Sequence, residues 1–200
     1  APFESELLTP IGKTKTLLYK RDTFYSTFDR VIGDACMNKF GSDIVFTPGF
    51  RWGTTVLPNS DITADDVYDM TAITYPNVYT FEMGGEQFHK LLEDIADNVF
   101  NPDPIYQQGG DMSRLTGVTY DIRIGAKSGE RISNLRVGGK PIDMKKTYLM
   151  SAWGGNVQKA GKNLRESMIT PVYDVTIDYI KKQKTVSAPE ISNVRVLDIK

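Results

Sequence analysis

Two kinds of hydrophobic periodicity alternate along this chain, and their order restricts its fold more than any other feature. Three long segments, residues 23–40, 86–99 and 172–183, place apolar side chains at helical spacing. Shorter segments of the β type lie around them, at residues 11–19, 43–47, 78–83, 117–124, 132–137, 147–152 and 191–199. Strands mixed with helices in this order predict an α+β fold.

Capping residues mark the predicted helix ends. Threonine and serine open the 23–40 segment and Gly41 follows it, as expected for the start and stop of a helix. A short helix opens at residues 61–66 with acidic residues in its first turn, where the helix dipole favours negative charge. Pro171 can occupy the first helical position of 172–183, because an N–H group is not needed there.

Composition narrows the class of protein. At 200 residues the chain fits one domain with a substantial core. The net charge is −1 and the basic residues are dispersed, so nucleic acid is not an expected partner. No apolar run approaches the roughly 20 residues that span a bilayer, and the first residues lack the features of a secretory signal. Cys36 is the single cysteine, and its helical neighbourhood predicts a buried structural thiol.

The segment NPDPIYQQGGDMSR at residues 101–114 has the composition of a loop with a defined backbone conformation and side chains suited to ligand binding. Its prolines restrict the backbone, whereas Gly109 and Gly110 allow backbone angles and close approaches that other residues resist. Two glutamines, a phenol, a carboxylate and an arginine offer directed hydrogen bonds. On the residues alone, a plain surface connection between a helix and a strand is the alternative interpretation.

This loop resembles the signature loop of the SoxB-type thiosulfohydrolases of bacterial sulfur oxidation, members of the wider 5′-nucleotidase family. The resemblance extends to FRWGTT at residues 50–55, TAITYP at 71–76, LEDIADNVF at 92–100 and YIKKQKTV at 179–186. The resemblance covers nearly the whole of this chain but only the C-terminal half of the proteins in the family. It implies that residues 1–200 form one substrate-binding domain of mixed sheets layered with helices, in the order α/β/β/α. An N-terminal metallophosphoesterase-like domain is then expected to be absent from this chain.

The resemblance also implies hydrolysis at a two-metal centre, of manganese or a similar ion, where a metal-bound water attacks the substrate. Such a centre needs several His and Asp ligands around ions about 3.5–4 Å apart, and this chain has one histidine. His89 lies off the apolar stripe of its helix near Glu86 and Glu93, which predicts a solvated helix residue. We therefore expect no metal ligand and no catalytic residue here, an inactive isolated chain, and a dinuclear centre in the missing domain.

Arg51 is the leading candidate for substrate binding. A guanidinium on a loop after Gly49 can hold two oxygens of a sulfonate or a phosphate at once. A surface salt bridge is the alternative. The resemblance favours binding, because a similar Gly-x-Arg element of the 5′-nucleotidase family holds substrate, although Thr47-Pro48 here replaces the usual Asn or Ser followed by Gly.

Nucleotidases of this family hold a base between two aromatic rings. The matching stretches here are YPN at residues 75–77 and WGGN at residues 153–156, which depart from the usual sequences. Tyr75 and Trp153 can stack on a substrate, with Asn156 beside them, or they can be core or interface aromatics. These departures weaken the case for a nucleotide substrate.

The signature loop supplies hydrogen-bonding groups suited to an extended, glycine-rich carrier peptide. The candidates are Tyr106, Gln107, Gln108, Gly109, Gly110 and Asp111. Arg114 either supplies a second cation to the substrate or pairs with Asp111 or Asp121 as a structural arginine.

The resemblance implies that the complete enzyme is a periplasmic hydrolase that releases sulfate from a cysteine S-thiosulfonate on a SoxYZ-type carrier protein. This chain would contribute Arg51 and the signature loop, and its partners would be the carrier and its own N-terminal metal-binding domain. Two alternatives stay open: the specificity domain of a periplasmic 5′-nucleotidase or sugar-nucleotide hydrolase, and a non-catalytic module that docks the carrier. Tyr75 facing Trp153 across a pocket would favour the first, and a polar cleft containing Arg51 would argue against the second.

Overall fold

The computed structural model of the chain describes residues 3–50 and 52–198. The helices are α1 (Glu4–Leu8), α2 (Thr27–Phe40), α3 (Ala64–Thr71), α4 (Gly85–Phe100) and α5 (Val172–Gln183). The strands are β1 (Pro10–Thr14), β2 (Ile44–Thr47), β3 (Asp61–Thr63), β4 (Asn77–Gly84), β5 (Arg114–Thr116), β6 (Val118–Ile122), β7 (Ile132–Val137), β8 (Lys140–Pro141), β9 (Thr147–Ala152), β10 (Thr170–Pro171), β11 (Thr185–Val186) and β12 (Val194–Val196). Short 3-10 turns at Val157–Ala160 and Glu166–Met168 follow β9.

The described strands form three sheets. The central sheet has the order β10-β4-β9-β2-β5, in which β2 and β9 run parallel and every other neighbouring pair is antiparallel. A four-stranded sheet has the order β12-β6-β7-β8, and a three-stranded sheet has the order β11-β1-β3. These directions bring the C-terminal ends of β2 and β9 to the same end of the central sheet as the N-terminal ends of β4 and β5.

Two hydrophobic cores lie on opposite faces of the central sheet. Val45 belongs to the core that includes α2, α3 and α5, whereas Ile44 and Phe46 belong to the core formed with α4 and the four-stranded sheet. This division follows from the two-residue period of a strand, which sends successive side chains to opposite faces. The predicted α+β fold, with mixed sheets and helices packed on them, is confirmed.

The long helices and central strands match their predicted segments, and the differences have local causes. Helix α2 begins at Thr27 rather than at residue 23, because the Ser26 side chain accepts a hydrogen bond from the Asp29 N–H and caps the helix. Gly41 ends α2 at a φ of 65°, as the sequence predicts. Pro171 is the N-cap of α5 in an extended conformation, so its prediction as the first helical position was wrong.

Three predicted strands are shorter or divided. Of residues 117–124, only Val118–Ile122 form a strand, because Gly117 adopts a φ of 84° between β5 and β6. Within residues 11–19, β1 ends at Thr14, and Leu18 pairs with Val56 in an isolated bridge. Within residues 191–199, the described strand β12 has three residues.

Cys36 lies fully buried in α2, where burial raises the pKa of its thiol to about 12. The prediction of a buried structural thiol is confirmed. Among the described residues, no helix has the length and apolar character needed to cross a bilayer.

Candidate functional site

Four loops meet at one end of the central sheet. They are residues 48–53 after β2, residues 153–156 after β9, residues 72–76 before β4 and residues 111–113 before β5. A Cβ added at Gly154 would lie 2.6 Å from Pro48 Cγ, and one added at Gly49 would lie 2.8 Å from the Asp111 carbonyl oxygen. The Trp52 indole donates a hydrogen bond of 3.1 Å to the Ala72 carbonyl. Residues from all the predicted binding segments therefore lie in one contiguous region.

Arg51, the leading sequence candidate, lies outside the described residues. Its neighbours Phe50 and Trp52 stack with ring centroids 4.5 Å apart, and the Trp52 side chain remains 49% exposed. The Phe50 ring also meets the Trp153 ring edge-on at 5.8 Å. The loop that carries Arg51 thus presents an aromatic surface, which the sequence analysis did not assign to the site.

Tyr75 and Trp153 occupy different environments. Tyr75 is 67% exposed, whereas Trp153 is only 2% exposed and belongs to the core on the α2 side of the sheet. Of the two interpretations of Trp153, the core aromatic is the one observed, because β9 is an interior strand whose end is covered by the Phe50 loop. Asn156 is exposed, and its carbonyl accepts a hydrogen bond of 2.9 Å from the Lys159 N–H.

Arg114 is a buried structural arginine in this arrangement. Its guanidinium lies 3.3 Å from Asp111 Oδ2 and donates to the carbonyls of Met112 and Asp22. The predicted pairing with Asp111 is therefore observed, while Asp121 pairs with Arg195 instead. Arg114 does not offer an exposed second cation to a substrate.

Lys20 and Asp29 form a buried ion pair that sequence reasoning missed. Both side chains are almost fully buried, and the Lys20 Nζ donates to Asp29 Oδ1. The Arg114 Nε lies 3.7 Å from the other Asp29 oxygen, and the Lys20 Nζ lies 5.4 Å from the centroid of the Trp153 ring. Burial lowers the pKa of Lys20, and the Asp29 carboxylate opposes that shift. The sequence gives no signal for this pair, because the two residues are nine positions apart across a turn and a helix start.

The signature loop is anchored at several points, while residues 102–110 are exposed. The Asn101 side chain donates to Asp97 Oδ2 at 3.0 Å, and the Gly109 N–H donates to the Asn98 carbonyl at 3.0 Å. At the far end, the Met112 N–H donates to the Thr23 carbonyl at 3.0 Å. These bonds fix both ends of residues 101–113 against helix α4 and the segment before α2.

The candidate residues in the middle of this loop face solvent, apart from one anchored amide. Tyr106 is 67% exposed and Gln108 is exposed, whereas the Gln107 side chain donates to the Val99 carbonyl at 3.1 Å. Gly109 and Gly110 have φ angles of 76° and 96°, a region that favours glycine. A Cβ at either glycine would meet no atom within 4 Å, so there is room for another chain to approach this backbone.

His89 is a partly buried helix residue, and its Nε2 lies 3.9 Å from Glu93 Oε1. Glu93 accepts hydrogen bonds from the Arg131 and Ile132 N–H groups, while Glu86 pairs with Lys90. Within residues 3–50 and 52–198, no group of three or more His, Cys, Asp or Glu side chains could hold a metal ion.

The family of this chain follows from comparison with known proteins. The model of the 5′-nucleotidase C-terminal domain matches residues 10–164, which is more than half of the chain. The chain belongs to the 5′-nucleotidase C-terminal domain family. A search of curated proteins found no match by sequence.

Solved structures extend the likeness to the whole chain. The sulfate thiohydrolase SoxB of Thermus thermophilus, solved with glycerol, is 42% identical with a TM-score of 0.96, covering 100% of this chain and 37% of SoxB. A 5′-nucleotidase precursor of the same organism is 19% identical with a TM-score of 0.79, covering 100% of this chain and 41% of that one. The NAD nucleotidase of Haemophilus influenzae is 19% identical with a TM-score of 0.75, covering 96% and 39%. The chain thus spans about two fifths of these relatives, which belong to a family of hydrolases.

Proposed function

We propose that this chain is the substrate-recognition domain of a SoxB-type thiosulfohydrolase that releases sulfate from a cysteine S-thiosulfonate on a SoxYZ-type carrier protein. The observation that carries the proposal is the 42% identity to a SoxB protein over the whole chain, against 19% to a nucleotidase with the same fold. We further propose that the complete enzyme is periplasmic.

The loop arrangement suits recognition of a small oxyanion attached to a protein. In the sequence, Arg51 lies between Phe50 and Trp52 and follows β2, and a guanidinium can bind two sulfonate oxygens through its planar fork. The signature loop reaches the same end of the sheet through its contact between Asp111 and Gly49. In the proposed complex, Arg51 binds the sulfonate and the exposed signature loop binds the carrier segment around the modified cysteine.

The position of Trp153 supports a sulfonate rather than a nucleotide as the substrate. A base clamp needs two rings with accessible faces, and Trp153 is buried against Phe50 and Lys20. Of Tyr75 and Trp153, only Tyr75 is exposed. A nucleotide would therefore have one of its two expected stacking partners, whereas a sulfonate needs neither ring.

The proposed division of labour assigns the metal chemistry to the N-terminal domain. A two-metal centre of manganese or a similar ion would there supply the nucleophilic water. The described residues of this chain contain no suitable ligand cluster, so they do not fit such a centre. This chain's own residues bind and orient the substrate.

The test compares two substrates with the complete enzyme. Sulfate release from a carrier that bears a cysteine S-thiosulfonate is measured against phosphate release from AMP. We expect efficient turnover of the carrier and little of AMP. Gln108→Ala should reduce turnover of the carrier, and Gln183→Ala, an exposed glutamine at the C-terminal end of α5, should not. Efficient AMP hydrolysis with little action on the carrier would overturn the proposal in favour of a nucleotidase.

A further inference from the structure

Gly49 and Gly53 lie against the side chains of two buried basic residues, Arg114 and Lys20. A Cβ added at Gly49 would collide with Arg114 Nη1, and one added at Gly53 would lie 3.1 Å from Lys20 Cβ. Both glycines therefore allow the backbone to lie directly on these side chains. The Arg114 guanidinium supports the start of the loop at residues 49–53, and the aliphatic part of Lys20 supports its end.

Both cations converge on the same carboxylate. Lys20 donates to Asp29 Oδ1, and the Arg114 Nε lies 3.7 Å from Asp29 Oδ2. Asp29 lies in the first turn of α2, where Ser26 Oγ accepts a hydrogen bond of 3.1 Å from its N–H. A carboxylate here is also favoured by the positive end of the helix dipole. Asp29 is thus a fixed point to which both ends of the loop are connected.

Ring contacts continue this network to the residues that flank Arg51. The Lys20 Nζ lies 6.0 Å from the centroid of the Phe50 ring, and Phe50 stacks on Trp52. The Trp52 indole is fixed in turn by its hydrogen bond to the Ala72 carbonyl. A change in the Asp29 cluster is therefore transmitted to both chain neighbours of Arg51.

We propose that Asp29 is a positioning residue which, through Lys20 and Arg114, holds Phe50 and Trp52, the two chain neighbours of Arg51, in place. Replacing a buried ion pair by apolar residues of similar volume often leaves stability unchanged. A purely structural role would then be restored by such a replacement, whereas a positioning role would not. The positioning is a property of this chain, and only its catalytic consequence rests on the proposed function.

The first test removes both charges of the pair without removing its bulk. In Lys20→Met/Asp29→Leu, 19F NMR of 5-fluorotryptophan reports the loop, because the chain has two tryptophans and Trp52→Phe assigns their signals. We expect the folded variant to show a shifted or broadened Trp52 resonance. The control is Lys13→Met/Asp61→Leu, an exposed lysine–aspartate pair at 3.2 Å, which should leave that resonance unchanged.

The isosteric variant Asp29→Asn serves as an alternative if the double variant does not fold. It keeps the shape of the side chain and should move the Trp52 resonance in the same direction. An unchanged Trp52 resonance in either folded variant would overturn the positioning role.

The second test measures turnover in the complete enzyme. A loop displaced by about 1 Å can lower turnover about 100-fold, so we expect a loss of that order in Lys20→Met/Asp29→Leu at an unchanged melting temperature. Normal sulfate release by this variant would contradict the proposal. A shifted Trp52 resonance combined with no sulfate release by the unmodified enzyme would support the positioning and count against the proposed function alone.

Discussion

The two loops assigned to substrate recognition are held in opposite ways. The loop at residues 49–53 rests on buried charges and stacks its aromatic rings on one another. The signature loop at residues 101–113 is held to neighbouring segments by separate hydrogen bonds, and the side chains of Tyr106 and Gln108 face solvent. The difference indicates two tasks, one that needs a fixed geometry and one that needs an accessible surface.

The way each loop is held suits the ligand that we propose for it. A small oxyanion is held by few atoms, so its binding gains most from a group whose position is set in advance. A carrier protein contacts a larger area and can order an exposed loop as it binds, at a cost in conformational entropy. The comparison therefore predicts that substitutions beneath the loop at residues 49–53 reduce stability strongly. Substitutions in the signature loop should reduce stability only weakly.

Replacing an aspartate by alanine should affect stability much more beneath the first loop than in the signature loop. Asp29→Ala leaves Lys20 and Arg114 without their shared carboxylate in the core, which should cost about 3–5 kcal/mol of unfolding free energy. Asp103→Ala removes only an exposed hydrogen bond to the Ile105 N–H within the signature loop, at about 1 kcal/mol or less. Urea denaturation of both variants measures the difference, and equal losses would break the comparison.

A glycine substitution tests how closely the two loops approach each other. Gly49→Ala places a Cβ 2.8 Å from the carbonyl oxygens of Asp111 and Met112, which should destabilise the fold by about 1–3 kcal/mol. Gly155→Ala in the neighbouring loop is the control, because its Cβ would meet no atom within 4 Å. Thermal unfolding compares the two. A neutral Gly49→Ala would show that the first loop is not fixed against the start of β5.

Acid should loosen the start of the signature loop. A hydrogen bond from Arg131 holds the pKa of Asp97 below its ordinary value of 3.8, and Asp97 also accepts the Asn101 amide at the start of the loop. Because the folded pKa is lowered, the stabilisation is present above the ordinary value and is lost as pH falls through the folded pKa. Hydrogen-exchange protection of the Gly109 N–H should fall over this range. The same pH dependence in Asp97→Asn would exclude Asp97 as its cause.

Local patterns predicted the central part of the fold well. The apolar stripes and turn residues indicated α4, β7 and β9 with bounds within one residue of those observed. Strand order and direction then explain why the loops after β2 and β9 meet. Periodicity alone does not provide this order, because it depends on which strands pair.

The parts of the site that the sequence did not predict depend on tertiary contacts. Trp153 follows an interior strand, and its ring packs against Phe50 and Lys20. The two glycines that follow Trp153 in the sequence do not indicate these contacts. Lys20 and Asp29 resemble ordinary surface residues in the sequence and become a buried pair only when α2 packs on the sheet. Arg114 had two interpretations of similar weight, and the position of Asp111 beside it decided between them.

Arg51 provides the most direct test of the proposed recognition site. Arg51→Lys in the complete enzyme keeps the charge but loses the planar fork, and its turnover of the carrier-bound thiosulfonate is compared with that of Arg123→Lys, an exposed arginine after β6. We predict a loss of about 3 kcal/mol in transition-state binding for Arg51→Lys and no change for the control. Unchanged kinetics of Arg51→Lys would contradict the assignment of this loop to substrate binding.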